Sequence, residues 1–264
     1  KNNVMDKNQK QNNPLFPSEE VTLPSQGLLY PEESPLKSGV IKMKYMTAKE
    51  EDILTNQNLI KKGTVVDKLL ESLIIDNINY NDLLIGDKNA LLIASRILGY
   101  GSDYTLKMTH PETGDEEKIT VDLTEATDKL LDKSNVKEGI NEFDFTLPSS
   151  KLPITFKLLT HGDEQKIQQE LKGLKKINKK TSAEASTRWK HIITSINGDT
   201  ERKTIRDFID NKFLARDSRA LRKQFTNITP DIDLKYDIEF EDGYIQENVE
   251  IPITINFFWP DTGI

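Results

Sequence analysis

Two aspartates, Asp87 and Asp217, stand in matched stretches of the chain, LLIGDKNALL (Leu83–Leu92) and FLARDSRALR (Phe213–Arg222). Paired carboxylates can carry general acid–base chemistry when one of them holds a proton. Each of these instead opens an apolar helical run, where an aspartate accepts backbone N–H bonds and favours the positive end of the helix dipole. Both are read as helix caps. The acidic clusters Glu50-Glu51-Asp52 and Asp115-Glu116-Glu117 read likewise, as a helix first turn and a solvated turn.

The histidines His110, His161 and His191 fall in different elements and lack metal-ligand spacing. His110 lies in Met108-Thr109-His110-Pro111-Glu112-Thr113-Gly114, where zinc hairpins carry C-P-x-C-G. His110 and Thr113 take the cysteine places and cannot complete a four-ligand site, so a plain hairpin is expected. The stretch Lys172, Lys175, Lys176, Lys179 and Lys180 around Ile167, Leu171, Leu174 and Ile177 is a basic amphipathic helix, a solvated face or a seat for an acidic partner or nucleic acid. There is no P-loop and no G-x-S-x-G, and Gly99-Tyr100-Gly101 continues as Ser-Asp-Tyr, which is no dinucleotide fingerprint. No catalytic set, metal or cofactor is called for.

Bulk composition narrows the classes. The 264 residues suit two modest domains, and a net charge of −7 argues against a general nucleic-acid binder. With no cysteine, the fold rests on packing without disulfides or thiolate metal sites. No apolar run reaches the ~20 residues of a membrane-spanning helix. The chain opens on a lysine without a secretory-type apolar segment, so its start is expected upstream and its synthesis in a cytoplasm.

The elements that must place these residues repeat. VIKMKYMTAKEEDIL (Val40–Leu54) and PITFKLLTHGDEQKI (Pro153–Ile167) both run from strand to threonine-started helix, with Thr160 where Thr47 stood. Leu-Pro-Ser precedes both, at 23–25 and 147–149, and each copy closes on a strand pair. The expected fold is α+β, two related helix-plus-β-hairpin domains from an internal duplication, with an extended N-terminal arm. The boundaries are a polar arm 1–20, repeat one 21–123, a connector 124–145 and repeat two 146–264.

In repeat one, the strand Val40–Met46 turns Ile41 and Met43 to one face. Thr47 with Glu50 forms a capping box, and Gly63 stops a helix before the next, Val65–Ile75. Strands Tyr104–Met108 and Lys118–Leu123 pair around Gly114. The connector is expected to hold a helix carrying Leu130-Leu131. In repeat two, a strand Pro153–Leu159 leads to helices near Asp163–Lys176 and Ala183–Ile196. Short helices follow at Lys203–Phe208 and Ser218–Phe225, then strands Asp233–Phe240 and Val249–Phe258.

The strings LPSQGLLYP, MTAKEEDILTNQNLIKKGTVVDKLL, DLLIGDKNALLIASRILGYG and NFFWPD together resemble the T4-type baseplate hub subunit family of contractile-tailed bacteriophages. The resemblance covers most of Val21–Ile264. It implies a non-enzymatic virion protein of the tail baseplate, assembled in the host cytoplasm. It also implies multiple copies in a symmetric assembly, with other baseplate and tail proteins as partners and neither nucleic acid nor membrane. Some relatives carry cysteines in the hairpins; none stands here.

Candidate partner-binding residues are Leu15 and Phe16 in the arm, Leu28, Leu29 and Tyr30 in the extended segment, and Phe257, Phe258 and Trp259 at the end. Adjacent aromatics in a final strand put large apolar groups on both faces, and one face then needs a cover. The arm is too polar to offset its own ordering entropy and is expected to be held by a neighbour. Two rival readings stand: an assembly chaperone absent from the finished particle, and a nucleic-acid module with degenerate zinc hairpins.

Overall fold

The computed structural model describes residues 18–178 and 182–258. The protein is α+β, and its sheets are small and antiparallel. Leu15, Phe16 and Trp259, and Lys179 and Lys180 of the basic stretch, lie outside the described residues.

β1 (Ser18–Thr22) pairs with β2 (Val40–Lys44), Val21 opposite Ile41. Alternation puts Ile41 and Met43 inside, both fully buried. The chain between them folds back through Leu23-Pro24-Ser25 and a tight turn at Gly27, where a Cβ would meet the Lys37 carbonyl oxygen at 2.3 Å. α1 (Ala48–Leu54) starts where Glu50 accepts from the Thr47 N–H (2.9 Å) and hydroxyl (2.7 Å). α2 (Gln57–Lys62) is capped by Asn56 and stopped by Gly63 at φ 69°. α3 (Val65–Leu73) buries Val65, Leu69, Leu70 and Leu73, after which Ile74 bridges back to Met43. α4 (Ile85–Tyr100) crosses the core, and β3 (Asp103–Thr109) pairs with β4 (Glu116–Asp122).

The second half reuses this order. β6 (Phe143–Thr146) and β7 (Pro153–Phe156) flank the second Leu-Pro-Ser. α5 (His161–Ile177) starts at the Thr160–Asp163 box, and α6 (Glu184–Ile192) leads to β8 (Ile193–Ile196). Phe156 pairs with Ile193 as Met43 does with Ile74. α7 (Arg202–Asn211) stands where the first half has a single 3-10 turn, Tyr80–Asp82. α8 (Ala215–Ile228) stands for α4, and β10 (Lys235–Glu239) with β11 (Ile245–Glu250) for the first hairpin. Thr47, Glu50 and Met43 thus answer to Thr160, Asp163 and Phe156.

The halves interlock. In the connector, β5 (Thr127–Lys129) pairs with β9 (Asp231–Asp233), and Leu131 is buried, its N–H donating to the Pro24 carbonyl. A Cβ at Gly86 would lie 1.8 Å from the Pro230 carbonyl oxygen, so α4 begins in close contact with the chain entering β9. Leu84 bridges Thr160. One hydrophobic core runs from Leu23, Met43 and Leu91 to Phe156, Trp189 and Leu221.

Several expectations need correction. The connector's expected helix is replaced by short 3-10 turns around β5, which gains its order from pairing with β9. The expected helix Ala183–Ile196 ends at Ile192, because the β-branched run Ile193-Thr194 completes a sheet with β7. The last strand stops at Glu250, ahead of Pro252, which has no N–H for a ladder. A one-turn helix, α9 (Ile255–Phe258), follows.

Candidate functional site

Asp87 and Asp217 are not helix caps; Leu84 and Leu214 take those places, and both aspartates sit one turn inside, at the third helical position. From there each carboxylate reaches its own Leu-Pro-Ser turn. Asp87 accepts from the Ser25 N–H (2.9 Å), the Ser25 hydroxyl (2.6 Å) and the Tyr30 hydroxyl (2.6 Å). Asp217 accepts from the N–H groups of Ser149 (2.7 Å) and Ser150 (3.0 Å). Both side chains are fully buried. A carboxylate stays in such a place only if its lone pairs are satisfied.

The surroundings differ. Burial pushes the Asp87 carboxyl above the usual range despite its Ser25 and Tyr30 donors. At Asp217 burial also pushes upward, but the Ser149 and Ser150 donors outweigh it and the net shift is downward. The Tyr30 hydroxyl accepts from the Leu84 N–H (2.9 Å) while donating to Asp87, so it ties the α4 N-terminus to the turn. Each aspartate fastens a helix to a strand-joining turn and touches no open cleft as a pair.

A second matched set lies at the capping boxes. Lys44 Nζ is 2.8 Å from Glu50, and Lys157 Nζ is 2.8 Å from Asp163. Burial disfavours the Glu50 charge, but Lys44, Thr47 and Ser72 all donate to it, and its pKa falls to about 2. Asp163 shifts the same way for the same reason. Sequence reasoning found the threonines but missed the lysines three residues before them, although that spacing is common to both copies.

The histidines remain apart. His110 Nδ1 accepts from the N–H groups of Glu112 and Thr113, and Nε2 lies 3.3 Å from the Asp242 carboxylate. Its ring packs edge-on to Phe240 and near Tyr244, so the tip of the first hairpin rests on the second. His161 lies between Tyr80 and Lys88, whose Nζ is 3.2 Å away, and Lys88 pairs with Asp67 at 2.6 Å. His191 meets Glu170 at 2.9 Å. Among the described residues no three His, Asp or Glu side chains gather as a metal site, and no helix is long and apolar enough to cross a membrane.

Of the candidate partner residues, Leu28 is half-buried. The rest of those described are buried in the core of the chain. Leu29 and Tyr30 are 2% and 4% exposed, and Phe257 and Phe258 are wholly buried. The reason is the turn of helix at Ile255–Phe258. It sets the two phenylalanine rings edge-on to each other at 5.3 Å, where a strand would have split them between two faces, and Phe257 packs against Tyr104 of the first hairpin at 5.0 Å. Among the described residues, large apolar exposure falls elsewhere, at Ile75, Leu130, Ile140, Leu174, Ile177, Leu214 and Ile245.

No curated protein and no solved structure matches the chain. A family model does, described as T4 bacteriophage base plate protein, and it matches residues 28–259. That span holds both Asp87 and Asp217, both capping boxes and both hairpins. The chain therefore belongs to the T4 bacteriophage base plate protein family.

Proposed function

We propose that this baseplate protein is a non-enzymatic hub subunit that binds several virion proteins while the tail is built and stays in the finished particle. The observation that carries the reading is the family match over residues 28–259. The use made of the ionisable groups supports it. Asp87, Asp217, Glu50 and Asp163, the buried carboxylates in matched positions, are each engaged by donors of the frame. In this reading, repeat one (21–123) and repeat two (146–264) form a shared frame, and the parts in which they differ choose partners. Leu15, Phe16, Leu28 and Trp259 remain proposed contacts.

Quantitative mass spectrometry of purified particles tests the proposal. A hub subunit is present at a fixed ratio to the other baseplate proteins. Absence from infectious particles, with presence in assembly intermediates, would make it a chaperone instead.

A further inference from the structure

We propose that the outer half of α5, Leu171 to Ile177, is a docking helix for an acidic protein surface that carries an apolar groove. This rests on the baseplate reading and names one of the surfaces by which the subunit would hold a neighbour.

The apolar stripe of α5 begins inside the molecule and continues past its edge. Ile167 is wholly buried and Leu171 is half-buried against the core, but Leu174 is 39% exposed and Ile177 86%. The spacing Leu171, Leu174, Ile177 keeps one side of the helix apolar over its last two turns. From Lys172 onward every described residue of the helix is exposed, and a Cβ added at Gly173 would meet nothing within 4 Å. The first half has no such projection: α1 ends at Leu54 and the chain turns back through Asn56 and Gly63. The overhang belongs to repeat two alone.

Its charge is as unpartnered as its stripe. Lys44, Lys88, Lys157 and Lys190 each hold a carboxylate at 2.6–2.8 Å. Lys172, Lys175 and Lys176 hold none among the described residues, and Lys179 and Lys180 continue the run in sequence. The acidic residues of the same helix are used inward, Glu164 by Arg188 and Glu170 by His191. On a chain of net charge −7 this is a local inversion of sign, and its complement is acidic.

Lysines in a last turn also favour the helix dipole, but that effect gives no reason to leave Leu174 and Ile177 in water. A nucleic-acid strand would engage the lysines and leave the aliphatic stripe uncovered, and no aromatic stands in this stretch for a base to stack on. An amphipathic helix laid in a groove buries both.

The test places a photo-crosslinking residue at Ile177 in otherwise normal phage and compares it with the same probe in a K172E/K175E/K176E background. Crosslinks are read in purified particles and in the assembly fraction. The expected result is one crosslinked virion protein, joined at an apolar segment flanked by Asp or Glu. Charge reversal should lower the yield at least tenfold, while the isolated variant keeps the parent unfolding midpoint. A crosslink to nucleic acid, lipid or a second copy of this chain would overturn the proposal, as would a yield indifferent to charge reversal, or no crosslink at all. If the crosslink forms in the assembly fraction but the chain is missing from particles, the docking helix stands and the resident-subunit reading falls. If the chain is in particles and Ile177 crosslinks to nothing, the reverse holds.

Discussion

Asp217 repeats, on the second Leu-Pro-Ser turn, the fastening that Asp87 makes on the first. Each carboxylate leaves the third position of its helix to accept the N–H of the turn's serine, at 2.9 Å for Ser25 and 2.7 Å for Ser149. The two contacts span 62 and 68 residues, and together with the Lys44–Glu50 and Lys157–Asp163 pairs they mark a single plan used twice.

Removing the fastening should unbalance the two halves unequally. Asp87→Ala leaves the Ser25 N–H, the Ser25 hydroxyl and the Tyr30 hydroxyl without their acceptor in a fully buried place, and a loss of about 3 kcal/mol is expected. Asp217→Ala abandons the N–H groups of Ser149 and Ser150 and should cost about 2 kcal/mol. Chemical denaturation of both variants checks the order. Equal or negligible losses would contradict it.

Acid should loosen the capping boxes. Glu50 has a folded pKa of about 2 against an ordinary 4.5, so the folded state favours its charged form. Its contribution is full above about pH 4.5 and is lost as pH falls toward about 2. Asp163 and Asp217, also shifted downward, add in the same direction. Glu50→Gln should flatten the fall in unfolding free energy below pH 4.5. An unchanged slope in that variant would refute the assignment.

His161 predicts a separate, milder step. Burial and the neighbouring Lys88 ammonium hold its pKa below the ordinary 6.5, against the pull of Asp67. The folded state thus prefers the neutral ring. Stability is full above pH 6.5 and declines as pH drops through that value toward the folded pKa, where the decline levels off. Unfolding free energies between about pH 7.5 and 5.5 should slope downward in the parent and less so in His161→Asn. Rising stability on acidification would show that Asp67 dominates the site.

The terminal phenylalanines and the α5 overhang should separate cleanly in mutagenesis. Phe258→Ala opens a cavity beneath α9 and should cost about 3–5 kcal/mol. Ile177→Ser, at 86% exposure, should change stability by no more than about 0.5 kcal/mol. Thermal unfolding of the two variants measures both. A neutral Phe258→Ala would mean that the end of the chain is not part of the core.

What could be read from the residues was short-range. Thr47 and Glu50, Gly63 and the Gly114 hairpin state their roles within a few positions, because caps and turns are decided by local hydrogen bonding. The helix-start signal at Asp87 was legible too, but not its direction: only the arrival of Ser25 and Tyr30 from far along the chain turns that carboxylate away from its own helix. Ile193–Ile196 continued the apolar pattern of Trp189 and Ile192, and only the presence of β7 makes it a strand. The aromatic end was misjudged for a similar reason. Phe257 and Phe258 read as an uncovered face while β-periodicity was assumed, and one turn of helix against Tyr104 buries both.

A cryo-EM map of the intact tail tests the resident-subunit reading most directly. A hub component predicts density for this chain on the central axis of the baseplate, with the α5 overhang and at least one other surface against different virion proteins. A map of complete baseplates whose hub density is fully accounted for by other proteins, with no place for this chain, would contradict it.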